Sequence, residues 1–191
     1  MLDFQNVYFA YDKKQVFTDL SFTLANGEIL AVMGESGCGK STLLQLVAGF
    51  LKPKKGIIVN EACKISYAFQ EPRLFPWLTV SENLRAILSD KDTADSRIAE
   101  ALDAVSLSNA ANLYPDELSG GMKSRASLAR ALAYRGDLYL LDEPFAALTE
   151  ELRAELSATI RERIKQSGAS AILVTHQRPD AELMADRVLY L

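Results

Sequence analysis

Gly34-Glu35-Ser36-Gly37-Cys38-Gly39-Lys40-Ser41, written GESGCGKS, decides how the rest of the chain is read. The run fits the spacing G-x-x-x-x-G-K-S/T without a gap. It directly follows an apolar stretch, Glu28 to Met33 (EILAVM), that has the length of a strand buried on both faces. A helical pattern follows it, running to about Phe50 and ending near Lys52-Pro53. Glycines let the backbone curl until successive N–H groups face one point, and the helix start adds unpaired donors and a positive dipole end. Such a cradle suits phosphate. Gly34, Glu35, Ser36, Gly37, Cys38 and Gly39 form it, and Thr42 continues it into the helix. Lys40 supplies a point charge to the β- and γ-phosphates, and Ser41 offers a hydroxyl to Mg²⁺.

Working outward, residues 2–9 and 16–24 are β-rich and read as strands of a small sheet, with a turn signal at Asn26-Gly27. Lys64 to Gln70 reads as another strand. Helical patterns follow near residues 79–89, 94–105 and 121–134. Leu138 to Leu141 is a short apolar strand, Thr149 to Gln166 an amphipathic helix stopped by Gly168, and Ala171 to Thr175 a strand. Pro179 to Ala185 reads as a helix and Val188 to Leu191 as a last strand. Strands alternating with helices imply a largely parallel sheet. The predicted fold class is therefore α/β: a P-loop NTPase core, a small N-terminal antiparallel β subdomain and an inserted α-helical subdomain. The core is assigned to residues 1–70 and 135–191 and the helical block to about 71–134.

The strand at Leu138 runs into two acids, LYLLDE, at the end that faces the ligand crevice in an α/β sheet. Asp142 is the natural carboxylate partner of Mg²⁺, and Glu143 can accept a hydrogen bond from an attacking water. Alone, such a pair is equally a capping or loop pair. The glycine loop upstream turns the reading toward chemistry.

A second glycine motif, Leu118-Ser119-Gly120-Gly121-Met122, opens the helical run KSRASLARALA. Here the chain resembles the ATP-binding cassette (ABC) ATPases, whose signature is LSGGQ or a close variant. The resemblance extends over essentially the whole chain in the expected order: Tyr11 before the glycine loop, Gln70 after a strand, LSGGM, LLDEP (Leu140 to Pro144), then His176 after an apolar strand. It implies that ATP is hydrolysed between two copies, the glycine loop of one facing the LSGG segment of the other. Leu118, Ser119, Gly120, Gly121 and Met122 would then serve the partner's ATP, and the helix tip they form is a ready anion site. It further implies that Tyr11 stacks on adenine, that Gln70 reaches Mg²⁺ and water, and that His176 contacts the γ-phosphate. With Lys40 and Glu143, Gln70 and His176 make the catalytic set; Ser41, Gln70 and Asp142 make the metal set.

Three positions depart from the family pattern. Met122 replaces the usual glutamine, a variant similar to importers of the nitrate, sulfonate and taurine class. Thr149 stands where the family has an aspartate in a loop meeting the opposite subunit. Gln177 replaces a frequent acid. The run EPRLFPWLTVSENL, Glu71 to Leu84, resembles the loop those importers carry near the groove for the membrane subunit. Its residues Leu74, Phe75, Trp77 and Leu78 either dock a partner protein or pack within the helical block.

The net charge of −4 supplies no electrostatic footprint for nucleic acid. Cys38 and Cys63 suggest a reducing compartment rather than a disulfide framework. The N-terminus has no secretion signal, and no segment has the ~20 apolar residues of a membrane span. The expectation is a homodimeric ATPase subunit binding ATP and Mg²⁺. It would sit in the cytoplasm, on the inner face of the membrane, with transmembrane permease subunits and, indirectly, an extracytoplasmic solute-binding protein. The chain is read as having no C-terminal regulatory domain. Two alternatives stay open: a soluble ABC ATPase without a membrane partner, and a non-hydrolysing nucleotide-sensing subunit. The interval between the glycine loop and the signature is too short for the long heptad insertion of DNA-repair types.

Overall fold

The computed structural model describes residues 1–12 and 14–191. Its centre is a five-stranded parallel sheet in the order β5-β6-β7-β3-β8. These strands are β3 (Ile29–Met33), β5 (Ile65–Ala68), β6 (Leu138–Asp142), β7 (Ser170–Val174) and β8 (Arg187–Tyr190). Every residue of β3 and β6 is buried, which is why both read as unbroken apolar runs rather than alternating ones.

The side-chain alternation of the strands divides the core in two. Leu30, Val32, Leu138, Leu140, Ile172 and Val174 face one cluster with Leu43, Leu44 and Val47 of α1 (Lys40–Val47). Tyr139, Leu141, Ala171 and Leu173 face the other, with α2 (Val80–Arg85), α3 (Ala94–Asp103), α4 (Gly120–Tyr134) and α5 (Glu150–Ser167). Helices α2 to α4 all lie between β5 and β6 in the chain, and α6 (Arg178–Met184) packs beside β3.

A second, antiparallel sheet covers the α1 side in the order β2-β1-β4, with β1 at Leu2–Tyr11, β2 at Lys14–Leu24 and β4 at Lys55–Asn60. The sequence reading leaves β4 unassigned. It is an edge strand in which Ile58 packs on the core while Ile57 and Val59 turn to solvent, so apolar residues occupy both faces and the sequence shows no polar–apolar alternation. The helix expected over 79–89 closes early, at Arg85. Its start is firm: Thr79 and Glu82 form a reciprocal capping box.

Candidate active site

The carboxyl ends of β3, β6 and β7, with the segment after β5, converge on one cleft of about 670 Å³. Tyr11, Gly34 to Gly37, Gly39 to Thr42, Gln70, Asp142, Glu143 and His176 all line it. This is where a parallel sheet places its ligands, because the loops there emerge beside open helix starts. Helix α1 begins at Gly39 with no side-chain cap, leaving its first N–H groups for an anion. Gly39 has φ 111°, and a Cβ there would lie 2.5 Å from Val16 Cγ1, so both conformation and space require glycine. Cys38 does not line the cleft; its backbone N–H donates to the Glu35 carbonyl at 3.3 Å.

Lys40 is 9% exposed, and its ammonium donates to the carbonyls of Gly34 (2.8 Å) and Glu35 (2.9 Å). It thereby props the loop around the space it faces. Asp142 is buried, and its Oδ1 has no hydrogen-bond partner. Burial pushes its carboxyl up, aided by the charge of Glu143, while the Ser41 hydroxyl and Lys40 pull it back. An unpaired buried carboxylate oxygen beside a serine hydroxyl fits a divalent cation. Among the described residues no group of three or more His, Cys, Asp or Glu is placed to hold a metal alone. Mg²⁺ does not require such a group, since it takes one or two protein ligands together with substrate phosphates.

Glu143 follows β6 in a left-handed conformation, φ 51°, fixed by its N–H bond to the Val174 carbonyl at 2.9 Å. A non-glycine residue in this region is strained, and such strain collects at functional sites. The turn aims its carboxylate at His176 Nδ1, 2.8 Å away. The other ring nitrogen of His176 meets Gln177 Nε2 at 2.9 Å. Tyr11 is 43% exposed, with its hydroxyl 3.4 Å from Thr42 Oγ1 and its ring at right angles to that of Phe9.

The signature residues are elsewhere. None of Leu118 to Met122 lines the cleft. Ser119 caps α4, accepting from the Met122 N–H at 3.3 Å, and Ser119 and Gly120 are exposed. Gly121 lies against the 147–148 turn, where a Cβ would come within 2.9 Å of the Ala147 carbonyl. Leu118 is buried and Met122 packs on the helical core, so this side chain faces inward.

The structure divides the apolar loop. Leu74 packs on the core, while Phe75 and Trp77 stay outside with ring centres 5.6 Å apart. Sequence reasoning missed Asn83, which is fully buried and holds the loop. Its Oδ1 accepts from the Phe75 N–H (2.7 Å), and its Nδ2 donates to the carbonyls of Phe75, Leu78 and Thr79 at 3.0–3.1 Å. The signal was a polar residue inside the apolar stripe Val80, Asn83, Leu84, Ile87. Also missed was the buried Asp180, which accepts from Thr175 Oγ1 at 2.9 Å and has Arg153 Nε 3.5 Å away. That distance is close enough for charge pairing, but neither atom has a hydrogen bond there.

A family model described as ABC transporter matches residues 17–146. The chain is 40% identical over 186 residues to the nitrate import ATP-binding protein NrtC of Synechococcus elongatus, covering 91% of this chain and 28% of that protein. It is 36% identical over 198 residues to an aliphatic sulfonates import ATP-binding protein of Burkholderia cenocepacia, covering 100% and 73%. The chain thus spans 28% to 73% of the length of these two curated relatives. A solved dimeric ATP-binding cassette in a post-hydrolysis state, bound to ADP and Pi, superposes with a TM-score of 0.87 at 27% identity, covering 100% of this chain and 94% of that one.

Proposed function

This chain belongs to the ABC transporter family, and from that premise we propose that it is the ATP-hydrolysing subunit of a small-solute importer, acting as a pair of copies that close on two nucleotides. The observation carrying this is a separation. The cleft gathers Lys40, Ser41, Asp142, Glu143 and His176, while the second helix start, at Ser119 and Gly120, is exposed outside it. In a two-fold pair the helix tip of one copy would complete the cleft of the other.

Adenine would stack on the Tyr11 ring. Lys40 would exchange the carbonyls of Gly34 and Glu35 for phosphate oxygens, and the orphan N–H groups of α1 would take the remaining charge. Ser41, Gln70 and Asp142 would hold Mg²⁺, which neutralises phosphate charge when bound. Glu143, within 2.8 Å of His176, would accept a proton from water, and His176 would hold the γ-phosphate side. The relatives' names support import of a small solute. A groove of about 260 Å³ lined by Tyr67, Phe69, Ile87, Arg130 and Tyr134 suits a short helix of a permease subunit, with Phe75 and Trp77 exposed in the same helical block. Such a subunit would sit on the cytoplasmic face of the membrane, and an extracytoplasmic binding protein would meet it only through the permease. No helix among the described residues is long and apolar enough to cross a membrane.

Glu143→Gln should bind ATP, lose hydrolysis and accumulate as a closed dimer by size-exclusion chromatography; wild-type turnover would refute the role given to Glu143. Lys40→Ala should lose most nucleotide affinity in a titration, and unchanged binding would refute the cradle.

A further inference from the structure

Residues 70–74 join the end of β5 to the apolar loop and have no helical or strand structure. Among the described residues, the only hydrogen bonds to the backbone of this segment come from one side chain, Arg130 of α4. Its Nη1 donates to the Arg73 carbonyl and its Nη2 to the Pro72 carbonyl, both at 2.9 Å. Two donors on a rigid planar group fix the direction of the chain as well as its distance. The hold is needed at Arg73, whose φ of 45° is left-handed. A non-glycine residue stays there only where its surroundings over-determine it. The Arg73 guanidinium in turn lies over the Phe69 ring, 4.4 Å from its centre, and Phe69 stacks on Tyr67 of β5 at 3.9 Å. The segment is thus tied to α4 through its carbonyls and to the end of β5 through a side chain. Gln70, which lines the nucleotide cleft, lies between the two ties.

We propose that Arg130 is a positioning residue for the nucleotide reaction: by gripping the carbonyls of Pro72 and Arg73 it sets where Gln70 stands in the cleft. Arg130 itself does not line that cleft. Little freedom separates the gripped carbonyls from Gln70, because Pro72 has a fixed φ and restricts Glu71 to extended backbone. Without the fork, Arg73 can leave its left-handed conformation, and the chain on either side of it turns. Helix α4 also presents Ser119 at its start, so the helix proposed to meet the partner's ATP anchors the Gln70 segment of its own cleft. The inference rests on the proposed role of Gln70 at Mg²⁺ for its kinetic consequence, though not for the hold on the segment.

Trypsin cleavage of the Arg73–Leu74 bond in the nucleotide-free full chain, followed by mass spectrometry, reads the hold directly. Arg130→Met should speed that cleavage about tenfold or more, as the loss of two charge-assisted bonds implies. Equal rates would overturn the proposal. Titration with the non-hydrolysable analogue AMP-PNP in EDTA should give wild-type affinity, which shows the variant folded, but the gain in affinity on adding Mg²⁺ should shrink. With ATP, kcat should fall about tenfold or more while KM moves less than about twofold, the pattern of a misplaced group rather than a lost binding contact. If cleavage is faster but kcat and the Mg²⁺ gain are those of the wild type, Arg130 holds the loop without positioning Gln70, and the proposal fails. Arg130→Lys keeps the stem and the charge but not the fork, and should show the same changes to a smaller degree. Should the methionine variant not fold, a lysine variant identical to wild type in every measurement overturns the proposal. A wild-type chain that hydrolyses no ATP and gains nothing from Mg²⁺ would instead refute the proposed function, and with it the consequence at Gln70, while the cleavage rates still decide the hold.

Discussion

Replacing Asn83 should release the apolar loop, and the size of the effect follows from its bonds. The side chain makes four hydrogen bonds, to the Phe75 N–H and to the carbonyls of Phe75, Leu78 and Thr79, from a fully buried position. The two amide hydrogens are shared among three carbonyls, so with the accepted bond the side chain has the equivalent of three full bonds, and about 0.5–1.5 kcal/mol each sums to about 1.5–4.5 kcal/mol. Two corrections bring this down. Water reaches part of the loop in the variant, and alanine is a better helix former than asparagine by about 0.5 kcal/mol. Asn83→Ala should therefore cost about 2–3 kcal/mol, a fall of about 5–10 °C in Tm for a chain of this size. Asn83→Asp is the sharper test. It keeps an acceptor for Phe75 but turns a buried carboxylate toward three carbonyl oxygens, so near-isosteric exchange should cost more than truncation. Chemical denaturation measures the stabilities. Trp77, the only tryptophan, lies on the loop, so its fluorescence anisotropy reports loop mobility. An Asp variant as stable as the Ala variant, with Trp77 unchanged in both, would refute the reasoning.

The other predictions concern charge. Burial raises the Asp186 carboxyl, but donors from Lys165, the Ile29 N–H and Arg161 outweigh it and hold it down at about 2. A depressed carboxylate contributes stability that is fully present above about pH 4 and is lost as pH falls toward 2. With its side chain 30% exposed, screening limits this to about 1 kcal/mol. Asp186→Asn should flatten the stability profile over that window in an acid titration followed by circular dichroism. Arg153→Met should cost about 3 kcal/mol in denaturant melts, because it strands the carboxylate of Asp180, whose side chain is 2% exposed. Adding Asp180→Asn should recover part of that loss; a double variant no better than the single would refute the pairing.

How much of this was legible in advance varies with the range of the interaction. The glycine loop is visible because the requirement is local: a curled backbone needs glycines at fixed offsets, and Gly39, with φ 111°, is one of them. The buried strands β3, β6 and β7 are visible because burial on both faces leaves an apolar run. Asn83 was overlooked because a polar residue in a stripe looks like an interruption until its four partners are in place. Asp180 sits in the first turn of α6, where an acid is favourable in any exposed helix, and that hides its burial.

The linear chain thus settled the glycine loop between a strand and a helix, the acid pair at the end of β6 and the alternation of strands and helices, since each depends on neighbours a few residues apart. Folding alone decided that Glu143 and His176, 33 residues apart, meet at 2.8 Å, and that Met122 turns inward while Phe75 and Trp77 turn out. It also set Ser119 outside the cleft that Lys40 occupies. These placements depend on how the layers pack and where each chain segment crosses the sheet, and no local pattern encodes that.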